Sequence, residues 1–271
     1  MLGGAAKISP EPGVDLLILK LTIVPLALLI FGIVERLHGP RIAGWLAGFP
    51  IVAGPLLVFV TLEQGSNFGS AAALGAYFGL VPWLAFTASY AWCSRFWGWF
   101  GCTVASFTVW TALAFGAVTL QGGSRWLEAL PFAILVCAVC LYPRGEPSDE
   151  EREHVWWGLP ARALAGAALT VVITEFASML GAHWSGIFTT FPVMGSIIAI
   201  SSHVQYGRHA VQEAVAGMTM GLASVGAFCF ATYILLGMTG MWTAFILALM
   251  VSTTIHALTW LLFKHRSRKL S

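Results

Sequence analysis

Two ionisable side chains stand inside otherwise apolar runs, and both are of a type that moves protons. Glu175 lies in VVITEFASML, and His256 lies among Ser252, Thr253, Thr254 and Thr259. Burial in a low dielectric disfavours the charged carboxylate. A lone acid there is either a neutral hydrogen-bonded group or one that loads and unloads a coupling proton. Glu175 is the first candidate for the second role. His256 divides in the same way between a satisfied neutral ring and a proton relay. A further set, Glu63, His203, Arg208 and Glu213, falls where apolar runs end, at positions suited to a gate or to a solvated turn. Of the five cysteines, Cys137 and Cys140 have redox or metal spacing, but no His or acid stands beside them. Met218, Met220 and Met238 lack the Cys or His partners of a soft-metal site. With no HExxH, no paired acids and no nucleophile-base set, an enzyme is not expected, nor is a metal or a cofactor.

A second kind of chemistry belongs to the backbone. Pro50 and Pro192 lie centrally in apolar runs, each preceded by Phe, at Phe49 and Phe191. Proline removes a backbone donor and frees the carbonyl one turn earlier. Gly48 before the first pair and Thr189-Thr190 before the second weaken the helix at the same spot. Non-helical backbone at membrane depth persists only where it is buried in protein or lines a cavity. The plainer alternative is a kink used for packing. If both helices break and face each other, their freed N–H groups suit an anionic ligand. Around the second break Ser185, Thr189, Thr190 and Ser196 are polar, whereas the first is almost wholly apolar. Substrate contacts are therefore expected at Phe49, Pro50, Phe191 and Pro192, with hydrogen bonding mainly from the second copy. Interhelical hydrogen bonding would use the same residue types.

These residues must be positioned by membrane helices. The chain is 58% hydrophobic and 10% charged, with a mean hydropathy of +0.82. That composition excludes a soluble enzyme and makes the lipid bilayer the first partner. A net charge of +2 gives no reason to expect nucleic acid. The N-terminal MLGGAAKISPEPGVDLL lacks the form of a signal peptide. Nine span-length runs are expected, at about 15–37, 41–62, 68–92, 97–119, 125–142, 158–180, 183–204, 210–236 and 240–263. With nine spans, Lys7, Lys20 and Arg125 fall on the N-terminal side, and the other eleven of the 14 Lys and Arg fall opposite. Basic residues favour the cytoplasm, so the N-terminus is expected outside and the C-terminus inside.

The Pro-centred stretch occurs twice. Shifted by 142 positions without a gap, residues 39–79 match 181–221 at Gly39/Gly181, Gly44/Gly186, Phe49/Phe191, Pro50/Pro192, Gly65/Gly207, Gly75/Gly217 and Gly79/Gly221. Six of the seven pairs are Gly or Pro, so shape is what recurs. Corresponding members lie five spans apart, and an odd offset inverts the second copy. The expected fold is all-α and polytopic, a 4+1+4 inverted-topology repeat with two broken helices. Residues 1–122 form the first repeat, 123–157 a linker span and acidic loop, and 158–271 the second repeat with a basic tail. Inverted repeats with paired interrupted helices typify secondary transporters, so the expected function is transport of a small, anionic metabolite with proton coupling. A passive channel is an alternative. The Gly75-x-x-x-Gly79 and Gly217-x-x-x-Gly221 pairs are expected to pack spans within the protomer, and oligomeric state stays open, a homodimer included.

IAGWLAGFPIVAGPLLVFV at 42–60 resembles the small-residue, Phe-Pro, apolar-run stretch of GlpM-like bacterial inner-membrane proteins. Those are about half this length, so the chain looks like a fused, two-copy relative over 39–92 and 181–236. The resemblance implies a bacterial inner-membrane location and carries over only Phe49-Pro50 and Phe191-Pro192. One member's link to alginate production implies a second alternative, a non-transporting accessory subunit of envelope polysaccharide synthesis.

Overall fold

A computed structural model describes residues 40–121, 125–141 and 158–268, together with helical positions at Thr22, Pro25, Leu26, Leu29, Ile33 and Leu37. Among these residues all regular structure is helical. In chain order, α1 is Pro40–Ala47, α2 Ala53–Gln64, α3 Ser66–Phe78, α4 Leu80–Cys93 and α5 Trp99–Leu120. A 3-10 turn at Arg125–Ala129 leads into α6, Leu130–Leu141. Then follow α7, Gly158–Thr189, α8, Val193–Leu236, and α9, Met241–Arg268. Most of the first expected span and the acidic 143–154 loop lie outside the described residues.

Four helical stretches are long and apolar enough to cross a membrane: Ser66–Cys93, Trp99–Leu120, Tyr206–Leu236 and Met241–Leu261. Met179–Thr189 and Val193–Val204, bent by 40°, make a fifth if taken as one broken span. Ala53–Gln64 and Trp126–Ala138 are apolar but shorter. The membrane character expected from composition is thus met by four to five helices among the described residues, against nine expected runs. Four expected runs are missing from that count. The 41–62 run is cut at Pro50 into pieces too short to count alone, and the first run lies mostly outside the described residues. The 125–142 run forms only the short Trp126–Ala138 helix, and the 158–180 run, helical within α7, is not among the counted stretches.

The chain direction is set by glycine and proline. Pro40 opens α1, where a missing N–H costs nothing. Gly65, between α2 and α3, has φ 89° and ψ 167°, and Gly207, within α8, has φ 74° and ψ −165°. Backbone of that kind is open only to glycine, so both helices turn there sharply.

Packing crosses between the two parts of the chain. A β-carbon on Gly44 would collide with the backbone of Ala214 and Met218, and one on Gly186 with the backbone of Ala72 and Ala76. Gly217 and Gly221 likewise press on Arg41 and Trp45 of α1, while Gly75 presses on His183 and Gly79 on Thr190. The two Gly-x-x-x-Gly pairs are therefore used inside the protomer, as expected. The surface each meets is the helical segment that leads into the opposite break. Lipid is as apolar as leucine, so such contacts hold by close van der Waals approach rather than by exclusion of water. One core of Leu56, Leu57, Val60, Leu80, Phe86, Ile187, Val211, Leu222 and Phe228 draws on both parts. Large apolar side chains of α5 and α9, such as Phe115, Ile246 and Met250, are exposed, as a lipid-facing surface requires.

Candidate functional site

Both Phe-Pro sequences break their helices, and by one backbone pattern. At the first break Gly48 N–H donates to Trp45, Phe49 to Leu46, Ile51 to Phe49 and Gly54 to Pro50. At the second, Thr190 donates to Ile187, Phe191 to Phe188, Val193 to Phe191 and Ser196 to Pro192. Every bond of one set has its counterpart at the repeat offset, and the lengths agree closely, with 2.7 Å for both Ile51–Phe49 and Val193–Phe191. Proline explains the shared form, since without an amide hydrogen the ladder cannot run through Pro50 or Pro192. The helix restarts after each proline. At each restart two amides, those of Val52 and Ala53 and those of Met194 and Gly195, take no acceptor among the described residues. Unpaired amides are what a helix start presents.

The two restarts meet at a small cavity of about 30 Å³ lined by Phe49, Ile51, Val52 and Ala53 on one side and Thr189, Thr190, Phe191, Val193 and Met194 on the other, with Ala47, Trp83 and Val225 completing the wall. A water needs roughly 10–15 Å³ measured this way, so the space admits about two waters. No lining residue carries a charge. The polar groups are the Thr189 and Thr190 hydroxyls and the indole of Trp83. Thr189 donates to the Ser185 carbonyl at 2.7 Å and Thr190 to that of Ile187 at 3.0 Å. Trp83 Nε1 is buried and has no hydrogen-bond partner among the described residues.

The Phe rings of the motif are held by the last helix of the opposite part. Phe191 stacks on Phe107 at 5.4 Å and meets Trp110 edge-on at 4.9 Å, both from α5. Phe49 meets His256 of α9 at 5.1 Å. That histidine is 7% exposed and lies flat on Trp45 at 3.8 Å. Its Nδ1 is 2.9 Å from the Ser224 hydroxyl, which is also 2.8 Å from the Gly48 carbonyl. Trp45 Nε1 donates to Thr259 at 3.0 Å, and Thr259 in turn donates to the His256 carbonyl. Ser224 has a single hydrogen. If Nδ1 carries the imidazole proton, the serine accepts from it and donates to the carbonyl of Gly48 or, at 2.9 Å, of Gly221; if Nε2 carries it, the serine hydrogen turns to Nδ1. The tautomer of His256 is thereby coupled through Ser224 to the carbonyls around the first break, of which that of Gly48 is also reached by the Val225 amide at 3.2 Å.

Of the expected substrate residues, Phe49, Thr189, Thr190 and Phe191 are brought together at the cavity. Pro50 and Pro192 are buried in the breaks and shape them without lining the space. Ser185 and Ser196 are buried within their helices, Ser196 donating to Val193. Glu175 is exposed on α7, beside exposed Phe176 and Met179. The expected gate residues separate by environment. Glu63 and Arg208 are exposed, Glu213 is buried, and His203 is half-buried with Nδ1 3.5 Å from the Tyr90 hydroxyl. Among the described residues no group of three His, Cys, Asp or Glu could hold a metal ion. Trp83, Ser224 and Trp45 do not stand out in the sequence. Their signal is faint, since Trp and Ser are ordinary in membrane helices, though the repeat offset carries Trp83 onto Val225, and the two occupy equivalent places in the wall. No protein-family model, curated protein or solved structure matches the chain.

Proposed function

We propose that the chain is a secondary transporter that moves a small, anionic metabolite across a bacterial inner membrane by alternating access. The observation that carries this reading is the pair of helix breaks, alike bond for bond, converging on one small cavity. Interrupted helices at corresponding places in two halves are the usual construction of a transporter's midplane site. The nine-span, 4+1+4 inverted repeat belongs to the same proposal. In its favour, Gly65 and Gly207 turn the chain at one offset, α5 and α9 begin at Trp99 and Met241 at that offset, and the Gly44 and Gly186 contacts exchange between halves.

Proton coupling falls on His256, whose ring touches the first break, and on Glu175, on the exposed face of α7. Purified protein in liposomes with an imposed pH gradient tests both. Solute-dependent proton flux is expected, falling at least tenfold in His256→Gln or Glu175→Gln. Absence of flux with a panel of anions removes transport and leaves the accessory role in envelope synthesis. A reporter fused after Ser271 is expected on the cytoplasmic side; a periplasmic reading removes both the span count and the inversion.

A further inference from the structure

We infer that the cavity between the two breaks is a site for a small monovalent anion, a carboxylate bearing a short apolar tail, and that Trp83 is the side chain that selects it. The inference rests on the transport reading for its purpose but not for its geometry. A buried donor without an acceptor is rare in a folded protein and calls for a missing partner. Trp83 is 6% exposed, and its Nε1 is such a donor. It stands in the cavity wall, 3.1 Å from where a β-carbon on Gly195 would sit, so glycine at 195 leaves the indole room beside the first turn of the α8 restart. The unpaired amides of Met194 and Gly195 belong to that same turn. An indole N–H can only donate, and so can an amide N–H. The group that answers all of them is an acceptor, and a helix start adds about half a positive charge to favour a negative one.

The number of charges follows from what the wall lacks. No lysine or arginine lines the cavity. Two helix starts together offset roughly one negative charge, and a second would be desolvated without compensation. Sulfate, dianionic phosphate and dicarboxylates are therefore excluded on energetic grounds. Orientation follows from the asymmetry of the wall. At the position equivalent to Trp83 stands Val225, and the first break adds only Phe49, Ile51, Val52 and Ala53. The headgroup lies at the second break, against Trp83 and Met194, and the tail lies toward the first. The space of about 30 Å³ matches a carboxylate head, and the tail extends from it along the apolar residues of the first break.

Calorimetry on the detergent-solubilised full-length protein tests the site without requiring flux. Butyrate is expected to bind at one site per chain, at least tenfold tighter than succinate or phosphate. Trp83→Phe, which keeps the ring and removes the donor, is expected to weaken butyrate at least tenfold. Thr232→Val removes another buried, unpartnered hydroxyl away from the cavity and is expected to leave butyrate binding unchanged. If Trp83→Phe does not fold, Gly195→Ala, whose β-carbon would come 3.1 Å from Nε1, carries the same expectation. Equal binding of succinate and butyrate, or equal losses in the Trp83 and Thr232 variants, overturns the inference. Butyrate that binds but does not cross liposomes keeps the site and removes transport. Flux of another solute with no butyrate binding keeps transport and removes the site.

Discussion

At the first break the carbonyl of Gly48 receives two hydrogen bonds from α8, from the Ser224 hydroxyl and the Val225 amide. At the second, the same offset puts Pro82 and Trp83 in place of Ser224 and Val225. Proline has no hydrogen to give, and the Trp83 amide stays within its own chain segment, bonded to Gly79 at 3.2 Å. Two breaks with one backbone are therefore fastened differently. The first is stitched to α8 and, through Ser224 and His256, to α9; the second keeps its polar groups beside the cavity. On the transport reading, one backbone shape is thus divided into a fixed side and a working side by a few side chains around it.

Exchanging residues across the offset should break this comparison most severely. Gly48 corresponds to Thr190, and a β-carbon at Gly48 meets the Gly221 and Leu222 backbone. Gly48→Thr is expected to cost about 3 kcal/mol or more, since rigid helix backbone cannot yield. Thr190→Gly, losing one hydroxyl bond to its own turn, is expected to cost about 1 kcal/mol. Thermal unfolding followed by helical circular dichroism separates the two, and equal costs would mean the breaks are not differently fastened.

Next in size is Ser224→Ala. It leaves His256 Nδ1 without its partner and removes the hydroxyl from Gly48, for an expected loss of about 1–3 kcal/mol. Its clearer signature is chemical. The imidazole nitrogen resonances of His256 should shift in this variant, and identical spectra would dissolve the proposed tie between ring and break. Trp45→Phe, which removes the indole bond to Thr259 and keeps most of the stack on His256, is expected to cost about 1 kcal/mol.

The smallest stability effect should carry the most function. Thr189→Val removes a hydroxyl that bonds only within its own helix, to Ser185, so stability is expected to change by roughly 0.5 kcal/mol. Solute uptake in liposomes should nevertheless fall severalfold, because the hydroxyl stands at the cavity. Unchanged uptake would shift the working side elsewhere.

The positions of the breaks were legible because proline and glycine act through the backbone, and their effect does not depend on what surrounds them. Phe49-Pro50, Phe191-Pro192, Gly65 and Gly207 all act where the sequence put them. The polar weight of the second copy, in Thr189 and Thr190, was readable for the same local reason. What escaped were relations between distant segments. Ser224 reaches Gly48 across 176 residues, and nothing in either neighbourhood names the other. Glu175 shows a different limit. In a soluble helix the polar face tells which way a residue points, but a helix apolar all round gives no such bearing, and the acid's exposure on α7 could not be read from VVITEFASML. Trp83 was hidden by its type, since a tryptophan in an apolar run more often meets lipid or headgroups.

Gly65 and Gly207 have nothing within 4 Å of where a side chain would start. Room is plentiful there, so the usual grading of substitutions by bulk does not apply. The obstacle is handedness, which every L side chain shares, at roughly 1–3 kcal/mol. Alanine and tryptophan should be about equally unwelcome at these two sites, and a full substitution scan should return a nearly level row instead of a slope. Gly181, at φ 75° and equally uncrowded, should share that profile, and the flat, uniformly poor rows would mark where the helices of this chain are interrupted.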